Sequence, residues 1–180
     1  RTVDDQTWLV AHTKDDLPVA YHVYDRKAKQ AKFMFTTQPK LEKYKLAPME
    51  PISFKAKDGL EINGYLTKPV GVEPKNLPTV LLVHGGPWAR DTWGLQPMTQ
   101  WLANRGYAVL QLNYRGSTGY GKEFQNAGNK EWAGKMHQDL LDGVEYLTKS
   151  GVADPKKTAI MGGSYGGYAT LVGLAFTPEV

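Results

Sequence analysis

The chain contains no cysteine, and that one absence removes disulfide cross-links, thiolate-ligated metals and a thiol nucleophile together. Long apolar runs are absent too. The longest, such as Thr79–Val83, fall far short of the roughly 20 residues that cross a bilayer, and residues 1–20 hold no signal-like apolar core. Nor is there a block of one charge sign. Lysine and arginine total 22 against 18 aspartate and glutamate, a formal net charge of +4, with the lysines scattered along the chain. This is a solvated surface rather than a nucleic-acid footprint. No internal repeat is present. What remains is 180 residues with 41% hydrophobic content, enough for one soluble domain with a buried core and cramped for two. The compartment is left open between cytoplasm and periplasm.

The chain divides by rhythm. Up to residue 38, short β-prone runs (Trp8–His12, Val19–Tyr24, Lys32–Thr36) alternate with turn residues and predict a three-stranded meander. Three strands make a poor core alone, so the meander is expected to belong to a larger β structure or to pack on the segments after it. Residues 39–50, rich in proline and charge, read as a linker, and Lys68–Pro78 as a second. Between them Ile52–Ala56 and Glu61–Thr67 predict a hairpin around Lys57-Asp58-Gly59. From Thr79 onward strands alternate with helices: Thr79–Val83, a helix over Gln96–Arg105, Tyr107–Leu112, a helix over Met136–Lys149, Thr158–Met161, and a helix over Tyr165–Phe176. That alternation argues for an α/β fold with a parallel sheet covered on both faces.

The chemistry-bearing signal is Gly162-Gly163-Ser164-Tyr165-Gly166-Gly167, where Gly162-x-Ser164-x-Gly166 matches a nucleophile elbow between a strand and a helix. A tight strand-to-helix turn needs small neighbours, and the helix N-terminus favours negative charge beside the serine. A glycine-rich loop that only makes a tight turn, or that cradles a phosphate, is the competing reading. Against the phosphate, Tyr168 and Ala169 stand where a Walker loop needs Lys and Ser or Thr. Upstream, His84-Gly85-Gly86-Pro87 follows a buried strand, where this architecture places a loop whose backbone N–H meets an oxyanion. His84 is expected to prop that loop by hydrogen bonding rather than to act as a base.

Three segments together, HGGPWARD (84–91), NYRGSTGYGKEF (113–124) and GGSYGGY (162–168), resemble the prolyl oligopeptidase family of serine peptidases, particularly its acylaminoacyl-peptidase-like branch. The resemblance runs from about Pro51 to the end. It implies an α/β-hydrolase fold over 51–180, preceded by a last β-propeller blade over 1–38 and the linker 39–50. It also implies hydrolysis of peptides through an acyl-enzyme, with Ser164 as nucleophile and the N–H groups of Tyr165 and Gly86 as oxyanion hole. Gly85 is the alternative donor in that loop. For NYRGSTGYG the resemblance suggests a loop near the active site, and a structural turn with Arg115 paired to a carboxylate is as good a reading.

The triad is where the sequence departs from that pattern. This fold orders its residues Ser, then Asp or Glu, then His. All four histidines, His12, His22, His84 and His137, precede Ser164, and Glu179 is the sole acid after it. With Arg1 at one end and sixteen residues after Ser164 at the other, the chain reads as truncated at both ends. His137 with Asp139 or Asp142 is rejected as a rearranged dyad because all three are expected on a solvated helix face. The reading is therefore a serine peptidase whose acid and base lie outside this chain, which alone is inactive. A carboxylesterase of the same fold and a non-catalytic binding module are the alternatives. No cofactor or metal is implied, the partner is a peptide or small ester, neither nucleic acid nor membrane is expected, and a homo-oligomer is left open.

Overall fold

The computed structural model describes residues 1–178. Its first strands, β1 (Thr7–His12), β2 (Ala20–Asp25) and β3 (Gln30–Thr36), form an antiparallel meander in chain order. Leu9, Phe33, Met34 and Phe35 remain exposed, so this sheet holds no core of its own. Polar contacts tie it to the rest. Asp15 accepts the Met49 N–H (2.7 Å) on its carboxylate and the Gln100 amide (3.2 Å) on its backbone carbonyl.

The remaining strands, β4 (Met49–Lys55), β5 (Glu61–Thr67), β6 (Leu77–Val83), β7 (Ala108–Asn113) and β8 (Ala153–Gly162), build a second sheet ordered β4-β5-β7-β6-β8. β6, β7 and β8 run parallel, and β4 and β5 are antiparallel additions at one side. β7 is buried at every position, Gln111 and Asn113 included, as expected of a strand covered on both faces. The helices are α1 (Pro97–Ala103), α2 (Lys122–Asn126), α3 (Lys135–Lys149) and α4 (Tyr165–Phe176). α3 and α4 cover one face: Met136, Leu140, Val144 and Leu147 of α3 join Leu81, Leu110, Leu112 and Ala169 in the main core. On the other face, Leu102 of α1 packs on Val80 and Val109. This is the α/β-hydrolase arrangement expected from the sequence.

Three details differ from the sequence reading. β6 begins at Leu77 and β8 at Ala153, earlier than expected, because both openings contain a proline that interrupts regular pairing. Leu77 pairs with Ala153, then Thr79 with Thr158, so Pro78 and residues 154–157 sit in an irregularity. α2 lies outside the expected elements; five residues with only Phe124 buried carry no readable period. The third concerns α3, expected to expose its polar residues. His137 (5%), Asp139 (0%) and Asp142 (6%) are instead buried.

Candidate active site

The site lies beyond the C-terminal ends of β6, β7 and β8, where ligands gather in sheets of this kind. β8 ends at Gly162 and α4 begins at Tyr165, leaving Ser164 at φ 55, ψ −121 on the turn between them. A non-glycine residue held at positive φ is strained, commonly by about 1–3 kcal/mol, and persists only where its surroundings dictate it. The surroundings here are two close approaches. A Cβ on Gly162 would lie 2.4 Å from the Val83 carbonyl oxygen, and one on Gly166 2.1 Å from the same atom. Only glycine lets strand end and helix start sit this near β6. The turn leaves Ser164 exposed while Tyr165, next in sequence, is buried beneath it.

The loop after β6 meets this turn. A Cβ on Gly85 would stand 3.2 Å from the Ser164 Cβ and 3.8 Å from its Oγ, so the loop runs against the serine with no space for a side chain. Gly86 has φ 126, a conformation that favours glycine. Among the described residues, no hydrogen bond engages the N–H of Gly86 or of Tyr165. For Tyr165 this follows from its place in the first turn of α4, whose N–H groups have no intrahelical acceptor.

His84 holds the loop rather than the serine. Its Nδ1 lies 2.8 Å from the Gly85 carbonyl oxygen, which can only accept, so Nδ1 carries the proton. Burial pushes the imidazole below its ordinary pKa, and Nε2 lies 3.0 Å from the Ser117 hydroxyl oxygen, whose own proton goes to the Tyr114 carbonyl at 2.7 Å. Both ring nitrogens thus face partners other than Ser164. Among the described residues, no imidazole or carboxylate hydrogen-bonds the Ser164 hydroxyl, and no acidic, histidine or cysteine cluster is arranged to hold a metal.

The segment after β7 braces both loops. Tyr114, fully buried, stacks on His84 (centroids 4.5 Å apart, 15° between planes) and on Tyr165 (5.1 Å, 30°), and its hydroxyl donates to the His84 carbonyl at 2.9 Å. Trp132 meets Tyr165 edge-on at 5.0 Å. Asn113 accepts the Asp91 N–H at 2.8 Å and donates to the Tyr120 hydroxyl at 2.8 Å, joining the HGGPWARD and NYRGSTGYGKEF segments. Arg115 proves to be a structural residue paired to carboxylates. Its fork donates to Asp139 at 2.8 and 2.7 Å and to Asp58 at 2.8 and 3.0 Å. Those hydrogen bonds, from Asp139 first, push the guanidinium pKa up, and the guanidinium draws the Asp58 carboxyl down to about 2. Burial pushes the Asp139 carboxyl above its ordinary range, and the Arg115 side chain and N–H offset that only in part. The His137 dyad is thereby excluded for a different reason than the one expected. Asp139 is committed to Arg115, Asp142 accepts the Lys57 N–H (2.8 Å), and His137 contacts Thr177 (3.1 Å).

Residues 93–180 match the prolyl oligopeptidase family. Over 99% of its length the chain is 53% identical to dipeptidyl aminopeptidase BIII of Pseudoxanthomonas mexicana, and again over 99% it is 43% identical to dipeptidyl peptidase family member 6 of Caenorhabditis elegans. The chain belongs to the prolyl oligopeptidase family. It spans 27% of the length of each of those two relatives. The acylaminoacyl peptidase of Pyrococcus horikoshii superposes with a TM-score of 0.81 at 26% identity, over 97% of this chain and 28% of that one. That likeness includes the meander as well as the hydrolase sheet. Among the described residues no helix is long and apolar enough to cross a membrane.

Proposed function

We propose that this chain carries the nucleophile of a serine peptidase, with Ser164 attacking the scissile carbonyl and the N–H groups of Tyr165 and Gly86 receiving the oxyanion. The observation that carries the proposal is convergence: a strained, exposed serine faces a glycine loop beside two N–H groups that have no acceptor among the described residues. In the reaction Ser164 Oγ bonds to the carbonyl carbon and its proton passes to a general base. The tetrahedral intermediate then collapses, the protonated amine leaves, and an acyl-serine remains for water to hydrolyse. The base and its acid partner come from outside these 180 residues, since His84 is spent on Gly85 and Ser117. Relatives nearly four times as long support this. The division follows the same reading: a last propeller blade over 1–38, a linker over 39–50, and the first part of the catalytic domain over 51–180.

Release of dipeptides from peptide N-termini is the favoured substrate class, because the relatives at 53% and 43% identity bear dipeptidyl peptidase names. Removal of acylated amino acids is the second reading, on the likeness to the Pyrococcus enzyme. A panel of chromogenic dipeptidyl amides, acylaminoacyl amides and simple esters, turned over by the full-length gene product, decides among them. The expected result is dipeptidyl amide hydrolysis that falls by several orders of magnitude in Ser164→Ala. Ester turnover without amide turnover would make it a carboxylesterase, and no turnover of any class a binding module.

A further inference from the structure

The two oxyanion donors sit on different elements, Tyr165 at the start of α4 and Gly86 in the loop after β6, and no backbone hydrogen bond among the described residues joins Tyr165 to that loop. The backbone pairing of β6 with β8 ends at Val83 and Gly162, and beyond it aromatic side chains bridge the two segments. His84, Tyr114 and Tyr165 form one continuous stack with centroid spacings of 4.5 and 5.1 Å, so Tyr114 is a spacer between the residue that opens the glycine loop and the residue after the serine. The Tyr114 hydroxyl also holds the His84 carbonyl, one peptide before Gly85. At the solvent end Trp132, 51% exposed, packs on Tyr165 and Tyr168, each at 5.0 Å, and closes the stack.

We infer that Tyr114 and Trp132 are positioning residues of the oxyanion hole: the aromatic stack His84–Tyr114–Tyr165–Trp132 fixes the distance between the Tyr165 and Gly86 N–H groups. The inference rests on Ser164 being the nucleophile. Neither residue touches the reacting atoms in this role. Both act through the backbone of the residues they clamp, so their loss is felt where negative charge develops and not where substrate first binds. An aromatic side chain suits the task because it is large, rigid and held by preferred ring geometries.

Two measurements on the full-length gene product test this. In Trp132→Ala kcat is expected to fall roughly 10- to 100-fold, the penalty for misplacing a catalytic group by a fraction of an ångström to one ångström. KM should stay within about twofold. Inhibition by a peptide aldehyde, whose tetrahedral adduct needs the oxyanion hole, should weaken by a factor similar to the loss in kcat. Trp132→Phe, which restores a ring against Tyr165, should recover most of the rate. Tyr114→Phe keeps the stack and loses one hydrogen bond, so it should fall between wild type and Tyr114→Leu. Should Tyr114→Leu fail to fold, the Trp132 pair still decides. A KM that rises while kcat holds would make Trp132 a wall of the substrate site, and lowered thermal stability with unchanged kcat would make the stack structural; either overturns the inference. A parallel Ser164→Ala arm separates the two levels: retained turnover there would sink the nucleophile assignment itself, whatever Trp132 does.

Discussion

Replacing Gly166 by alanine puts a methyl group 2.1 Å from the Val83 carbonyl oxygen and 3.0 Å from its carbon, both backbone atoms that cannot swing aside. Helix start and strand end must part by about 1 Å before ordinary contact is restored. Alanine's higher helix propensity favours the variant by about 1 kcal/mol, whereas overpacking against a fixed backbone costs about 1–3 kcal/mol and here sits at the upper end. The expected net loss is about 2 kcal/mol. The same displacement moves Ser164 off the glycine loop, so kcat should fall about 100-fold as well. Gly163, three residues earlier in the same motif, is the control, because a Cβ there meets nothing within 4 Å. Gly163→Ala should change stability by less than about 0.5 kcal/mol. Urea unfolding of both variants, with steady-state kinetics alongside, is the assay. Equal losses at both positions would refute the claim that close approach to Val83 shapes the elbow.

Gly86→Val adds bulk where a Cβ would already be 2.7 Å from the Trp88 N and where φ is 126, and should lower kcat about 100-fold or more as one oxyanion donor is lost; an unchanged kcat removes this loop from the mechanism. Arg115→Met leaves the Asp139 carboxylate buried without its partner and should destabilise by about 3–5 kcal/mol in denaturant unfolding. A loss under about 1 kcal/mol would mean the pair is solvated in solution. The Asp58 carboxyl is depressed to about 2 from 3.8, so its contribution is present above 3.8 and lost as pH falls toward 2; Asp58→Asn should flatten the acid limb of the stability profile there. Burial holds the His84 ring below 6.5, so the unfolded chain takes up its proton first and stability falls as pH drops below 6.5. An NMR titration placing His84 above 6.5 would contradict that direction.

The elbow and its helix were legible because their signals are local: Gly162 and Gly166 must flank Ser164 within five residues, and Pro178 closes the helix from Tyr165 to Phe176. The glycine loop was legible for the same reason, being a short motif after an apolar strand. What holds the site together was not. His84, Tyr114, Trp132 and Tyr165 come from four separate segments, and nothing in a tyrosine's sequence neighbourhood says which ring it will stack on. The polar residues of α3 misled for a related reason. A helical stripe of Met136, Leu140, Val144 and Leu147 marks one buried face, but Asp139 is buried beside it because Arg115, 24 residues upstream, arrives to neutralise it. A carboxylate partner for Arg115 was among the sequence readings, but which carboxylates it meets was not, since Asp58 and Asp139 lie 57 and 24 residues away in the chain.

The central claim is that the hydroxyl of Ser164 is the activated nucleophile, and covalent labelling tests it most directly. Full-length gene product treated with a fluorophosphonate probe, digested and mapped by mass spectrometry should carry one adduct, on Ser164, and none after Ser164→Ala or after heat denaturation. An adduct on Ser117, or labelling that survives the Ser164→Ala substitution, would contradict the account.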